Sequence, residues 1–155
     1  MSLLPTHRSD AWPERLARRT DRALWLLFAA GALAVLGLSR WLVPDARGLA
    51  THTQLGLPAC GFWLLTGLPC PACGLTTCFA HLARGQLTPA LHANPLGVVL
   101  FTCVLASPVL AMWASARKRA FFETFARMHI AQLCIGFTCA ALVQWFARVA
   151  CLLLG

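Results

Sequence analysis

Three long apolar stretches constrain this chain more than any other feature. A helix crossing the roughly 30 Å apolar layer of a bilayer needs about 20 mostly uncharged residues. Residues 23–39 meet that demand, extended by Trp41, Leu42 and Val43, and so do residues 95–116. A third stretch, 128–154, is interrupted by strongly polar side chains only at Gln144 and Arg148, both towards its far end. The balance of 59% hydrophobic against 12% charged residues is wrong for a water-soluble domain of 155 residues. The expected fold class is therefore an all-α membrane protein with about three transmembrane helices, near 23–43, 95–116 and 128–154.

The net charge of +8 invites a nucleic-acid reading until its distribution is followed along the chain. Arg8, Arg15, Arg18, Arg19 and Arg22 precede the first span, and Arg117, Lys118, Arg119 and Arg127 lie between the second and third. Only Arg40, Arg47, Arg84 and Arg148 fall elsewhere. Segregation beside spans is what membrane orientation requires, so the charge argues for a lipid bilayer as partner and against nucleic acid. The positive-inside rule puts the N-terminus and the 117–127 loop in the cytoplasm and the C-terminus outside. The polar run before the first span, with no small-residue cleavage site after it, predicts a retained anchor. Residues 1–22 then form a basic cytoplasmic segment, with 9–22 either a short helix on anionic headgroups or an irregular basic tail. Residues 23–155 form a single membrane domain.

Between the first two spans the chain changes character. Pro and Gly recur, and Cys60, Cys70, Cys73 and Cys78 gather there with His52, His81 and His92. Cys103, Cys134, Cys139 and Cys151 lie inside predicted spans, where Cys acts as a small hydrophobe. Residues 55–68 are apolar but broken by Pro58, Gly61 and Gly67, which predicts an interfacial or re-entrant segment. Next comes Leu68-Pro69-Cys70-Pro71-Ala72-Cys73-Gly74-Leu75-Thr76. Pro71 suits a first helical position and Gly85 the residue past a helix end, so the spacing predicts a helix over 71–84 with Cys70 as its N-cap. Leu75, Phe79 and Leu82 would form its apolar stripe, with Cys73, Thr77, His81 and Arg84 on another face.

The run Cys70, Pro71, Cys73, Gly74, Leu75 and Thr76, followed by Gly85 and by Asn94, Pro95 and Leu96, resembles the domain-of-unknown-function 2752 family of small bacterial membrane proteins. That family's pattern is Cys-Pro-x-Cys-Gly-Leu-Thr-Arg, then Gly, then Asn-Pro-Leu before a span. Thr77 stands where the family usually has Arg, and Cys78 where a small residue is usual. The resemblance implies a bacterial inner (plasma) membrane location, and the charge distribution then puts the Cys-Pro-x-Cys segment of 55–94 on the outer, oxidising side. It carries no function, so chemistry has to come from the residues.

Three readings follow. The first expectation is an accessory or scaffold protein, or a small subunit of a membrane complex, in which Pro69, Pro71, Gly74 and Gly85 shape a sharp turn and Cys70 and Cys73 fix it. Short cytoplasmic loops and only three spans favour other membrane subunits or a homo-oligomer as partners. The alternative is thiol–disulfide chemistry with Cys70 and Cys73 as the catalytic pair, activated by a helix N-terminus, and Cys60 with Cys78 as a second pair. The remaining reading is a zinc or copper site on Cys70 and Cys73, joined by His81, Cys78 or Cys60, with His81 the first choice. His81 lies two helical turns from Cys73, which weighs against it. Gln144 and Arg148, four apart on the third span, either face the bundle as a pair or leave Arg148 to reach the outer interface. Trp12, Trp25, Trp41 and Trp113 read as interfacial anchors.

Overall fold

A computed structural model describes residues 11–45, 48 and 50–154, with side chains from residue 16 onward. Every regular element among them is helical. Three helices are long and apolar enough to cross a membrane, over Leu16–Trp41, Pro95–Ala116 and Ile130–Leu154. In chain order the elements are α1 (Ala11–Trp41), a 3₁₀ turn (Thr51–Leu55), α2 (Gly61–Thr66), α3 (Leu75–Leu82), α4 (Leu87–Ala93), α5 (Pro95–Ala116), α6 (Phe121–Arg127) and α7 (Ile130–Leu154). The expected spans are all present.

The basic segment before the first span is not a separate element from Ala11 onward. It continues into the span as one helix of 31 residues, about 46 Å at 1.5 Å per residue. That exceeds the apolar layer, so the arginine-bearing end projects beyond it. The start of the chain, including His7 and Arg8, lies outside the described residues.

The helices α1 and α5 form the main seam and run antiparallel. Trp25, Ala29, Ala111 and Ala114 make its buried core, and the three alanines let the backbones approach closely. Near the start of α1 the seam is closed by the loop after α5. Trp25 Nε1 donates to the Arg119 carbonyl at 2.9 Å, and the Phe121 N–H donates to Asp21 Oδ1 at 3.0 Å. The expected loop 117–127 contains a short helix, α6. In the structure Phe121 and Phe125, one turn apart on α6, pack on Trp25 and Phe28 with ring centroids 4.7–6.2 Å apart.

Within α5, Pro108 removes the N–H that would bond to the Val104 carbonyl, a costly loss where no water reaches. The Ser107 hydroxyl donates to that same carbonyl at 2.9 Å. The last carbonyls of α1 are satisfied from a distance in sequence. Arg84 donates to Arg40 at 2.9 Å and to Ser39 at 3.4 Å, as well as to Ala80 on its own helix at 2.8 Å. Arg84 therefore caps α1 rather than lining a reactive face.

α7 buries none of its residues. It meets α6 near its start, and over Gln144–Arg148 it bonds to the 69–96 region, where Trp145 also stands edge-on to Phe62.

Candidate functional site

At the end of the α1–α5 seam opposite the basic cluster, α3 and α4 pack into the mouth of the bundle, while residues 55–67, including α2, stay largely exposed. α3 is wedged against α1, α4, α5 and the 3₁₀ turn, and Thr77, Cys78, Phe79 and Ala80 are buried on it. Phe79 meets Phe101 of α5 edge to face, with centroids 5.2 Å apart. Gly85, with φ of +73°, closes the helix, and the Gln86 N–H reaches back to the His81 carbonyl at 3.0 Å, a Schellman-type stop that glycine permits.

The helix starts later than the spacing predicts, and the reason is Gly74. Its φ of +88° is incompatible with a right-handed helix, so Gly74 is the N-cap and α3 begins at Leu75. Cys70 to Cys73 form a tight turn instead, closed by the Cys73 N–H on the Cys70 carbonyl at 3.0 Å with Pro71 at the second position. A side chain at residue 74 would also run into the Ala93 carbonyl. Cys70 consequently does not sit at a helix N-cap, and the argument that a helix end activates it does not apply.

The tight turn has a different consequence. It brings Cys70 and Cys73 together with Cys60, and the three sulfurs lie within 4.8 Å of one another, all half-buried. Cys60 comes from the residue preceding α2, where the Trp63 backbone N–H lowers its thiol pKa most strongly. Burial opposes that effect, and the Cys70 thiol, the Phe62 N–H and the Cys73 thiol add to it. Cys73 moves the other way, pushed up to about 12 by burial and by its thiol hydrogen bond with Cys70. Its sulfur accepts the Cys70 N–H at 3.1 Å. The triad thus contains one thiol biased towards thiolate and one held protonated.

The other residues that spacing singled out lie elsewhere. His81 is outside the sulfur group, with Nδ1 2.7 Å from Gln86 Oε1, and α3 runs unbroken between it and the turn. Cys78 is fully buried against Ala90 and Ala93, and burial pushes its thiol up to about 11. It packs against Gly97, where an added Cβ would lie 2.9 Å from its sulfur. Cys78 therefore serves packing and does not form a pair with Cys60. Thr77, which replaces the usual Arg, is fully buried and shares a 2.8 Å hydroxyl bond with Thr51, tying α3 to the 3₁₀ turn.

A polar group from the third span braces the turn. Trp145 Nε1 donates to the Pro69 carbonyl at 2.6 Å, and Arg148 donates to the Cys73 carbonyl at 3.3 Å. Asn94 Nδ2 donates to that same carbonyl at 3.4 Å, while its Oδ1 caps α5 by accepting the Gly97 N–H at 3.1 Å. Gln144 completes the set, donating to Asn94 Oδ1 at 3.1 Å and accepting the Leu96 N–H at 3.3 Å. Arg148 therefore faces the protein. The role of Trp145 emerges only from the structure, and its sequence signal is the run Gln144-Trp145-x-x-Arg148 inside an apolar span.

Residues 60–107 match the model of DUF2752, a family of proteins of unknown function. The match confirms the resemblance read from the Cys-Pro-x-Cys and Asn-Pro-Leu residues. No curated protein and no solved structure matches the chain. The DUF2752 match opens at Cys60 and takes in all three sulfurs, the tight turn, Asn94 and the first half of α5. α1 and α7 lie outside it. The geometry also links the two halves of the DUF2752 pattern physically, since Asn94 holds the backbone of Cys73.

Proposed function

We propose that this chain is a small accessory protein of the bacterial inner membrane that binds a thiophilic metal ion, copper(I) first and zinc second, through Cys60, Cys70 and Cys73. The observation that carries the reading is the convergence of Cys60 on the other two cysteines. A disulfide, redox-active or structural, joins two sulfurs and leaves the third without a role, whereas one soft metal ion can take all three. Sulfurs sharing one ion at about 2.3 Å stand roughly 3.8–4.0 Å apart, so the triad closes on a metal with a contraction of about 1 Å or less. Copper(I) is satisfied by thiolates alone, while zinc would draw a fourth ligand from water or a partner. The Arg148 guanidinium on the Cys73 backbone supports the negative charge that three thiolates would bring. The charge asymmetry along the chain favours placing the triad on the outer side of the membrane.

The test is metal content and affinity of the detergent-purified full chain, prepared under reducing conditions. One equivalent of copper(I) or zinc, lost in Cys60→Ser, is expected. Absence of either metal at stoichiometric level ends the reading.

The lowered pKa of Cys60 favours one alternative, thiol–disulfide exchange. A Cys60 thiolate attacking Cys70 of a Cys70–Cys73 disulfide forms Cys60–Cys70 and releases Cys73 as thiolate, which takes up a proton given its raised pKa. Mass-shift thiol labelling of membranes with and without reductant separates the two readings. Two thiols that cycle with redox conditions support exchange, and three that remain reduced and metal-protected support binding.

A further inference from the structure

At the opposite end of the seam lies a cleft of ≈ 550 Å³ whose walls carry Arg18, Arg19, Arg22, Lys118 and Arg119, with Asp21 as the one carboxylate among the described residues lining it. Asp21 has a structural task, since its Oδ1 accepts the Phe121 N–H. The cationic side chains come from two separate segments, the first turns of α1 and the loop after α5. Their juxtaposition is fixed by the Trp25 to Arg119 hydrogen bond and the Trp25, Phe121 and Phe125 ring cluster. Arg117 and Arg119 also lie over the Trp113 ring, each 5.5 Å from its centroid, which places a wall of the cleft at an aromatic interface position. Basic side chains gathered from two elements around one cleft give it a positive local potential that attracts an anion.

We propose that this cleft binds the phosphate of an anionic phospholipid. The chemistry is that of a phosphate group meeting a guanidinium cluster. What selects a lipid over free phosphate is the floor. Leu26 and Met112 line the same cleft, both are exposed to more than half their surface, and both belong to spans that face the apolar layer. A headgroup seated among the basic residues would lay its acyl chains along those two side chains.

The experiment is native mass spectrometry of the detergent-purified full chain titrated with phosphatidylglycerol, with phosphatidylcholine of the same acyl chains, and with inorganic phosphate. Phosphatidylglycerol is expected to bind at least tenfold more tightly than phosphatidylcholine. Replacing Arg22, Lys118 and Arg119 by Gln together should weaken it by on the order of a hundredfold, since each basic residue near an anionic surface contributes about one kcal/mol. Arg40→Gln, at the other end of the same helix, should leave the preference intact. The single variants Arg22→Gln and Lys118→Gln carry the test if the triple variant does not fold, each expected to lose several-fold. Equal binding of the two lipids, loss of preference in Arg40→Gln equal to that in the cleft variants, or displacement of phosphatidylglycerol by millimolar inorganic phosphate would each overturn the proposal.

Discussion

The two ends of the α1–α5 seam are built on opposite principles. At the basic end, cationic side chains stay at the surface and the aromatic rings of Trp25, Phe28, Phe121 and Phe125 hold the loop. At the thiol end, little charge is present and the backbone itself is the cargo of the hydrogen bonds, with Asn94, Trp145 and Arg148 all donating to carbonyls of the 69–73 turn. A surface charge needs only approximate placement, because Coulomb forces act over several ångströms. Three sulfurs closing on one point need a fixed backbone. The difference predicts that the thiol end is sensitive to small steric changes, whereas the basic end responds to charge.

The largest expected effect comes from Cys60→Ser. Removal of one of three ligands should lower metal affinity by well over about a hundredfold, beyond what changes around a ligand shell cost, with the helical content unchanged by circular dichroism. An unchanged affinity would show that Cys70 and Cys73 act as a pair and would erase the contrast between the ends. Gly74→Ala comes next. It forces a side chain into a positive φ and against the Ala93 carbonyl, which should destabilise the protein by about 2–4 kcal/mol in denaturant titration and scatter the triad.

A pH titration sharpens the chemistry. Because Cys73 holds its proton up to about pH 12, a metal must displace that proton, so affinity should rise as pH rises, by about tenfold per unit between pH 6 and 8 for each proton released. A flat profile would mean that Cys73 is not a ligand. Arg148→Gln should reduce metal affinity by about tenfold while leaving the thermal midpoint nearly unchanged. The smallest effect is expected from Trp25→Phe at the basic end. It removes one hydrogen bond to Arg119 and should cost about 1 kcal/mol without altering metal affinity. Coupling between that change and the thiol end would break the picture of two independent ends.

Legibility followed the same division. The spans, their polar interruptions and the basic clusters are properties of runs of residues, and each span found in the structure overlaps the expected one. The presence of Cys70 and Cys73 in one turn is equally local. The start of α3 was misplaced because Pro71 suits both a first helical position and the second position of a tight turn. The positive φ at Gly74, demanded by the Ala93 carbonyl beside it, chose between them. Proximity along the chain points to His81 beside Cys70 and Cys73, whereas the side chain that folding brings to them is Cys60, ten residues before Cys70.

By itself, then, the sequence determined that this chain is helical and suited to a membrane, where its basic residues lie, and that a Cys-Pro-x-Cys motif sits between the first two spans. Hydropathy, charge and turn chemistry are additive along a chain, so they can be read without coordinates. Only the tertiary structure decided that Cys60 joins the pair, that Cys78 is packing, that Arg84 caps α1, and that Arg148 and Trp145 brace the turn from the far end of the chain. Those assignments depend on where backbones can approach one another, at Gly74 beside Ala93 and at Gly97 beside Cys78, and close approach between distant segments leaves no periodic trace in sequence.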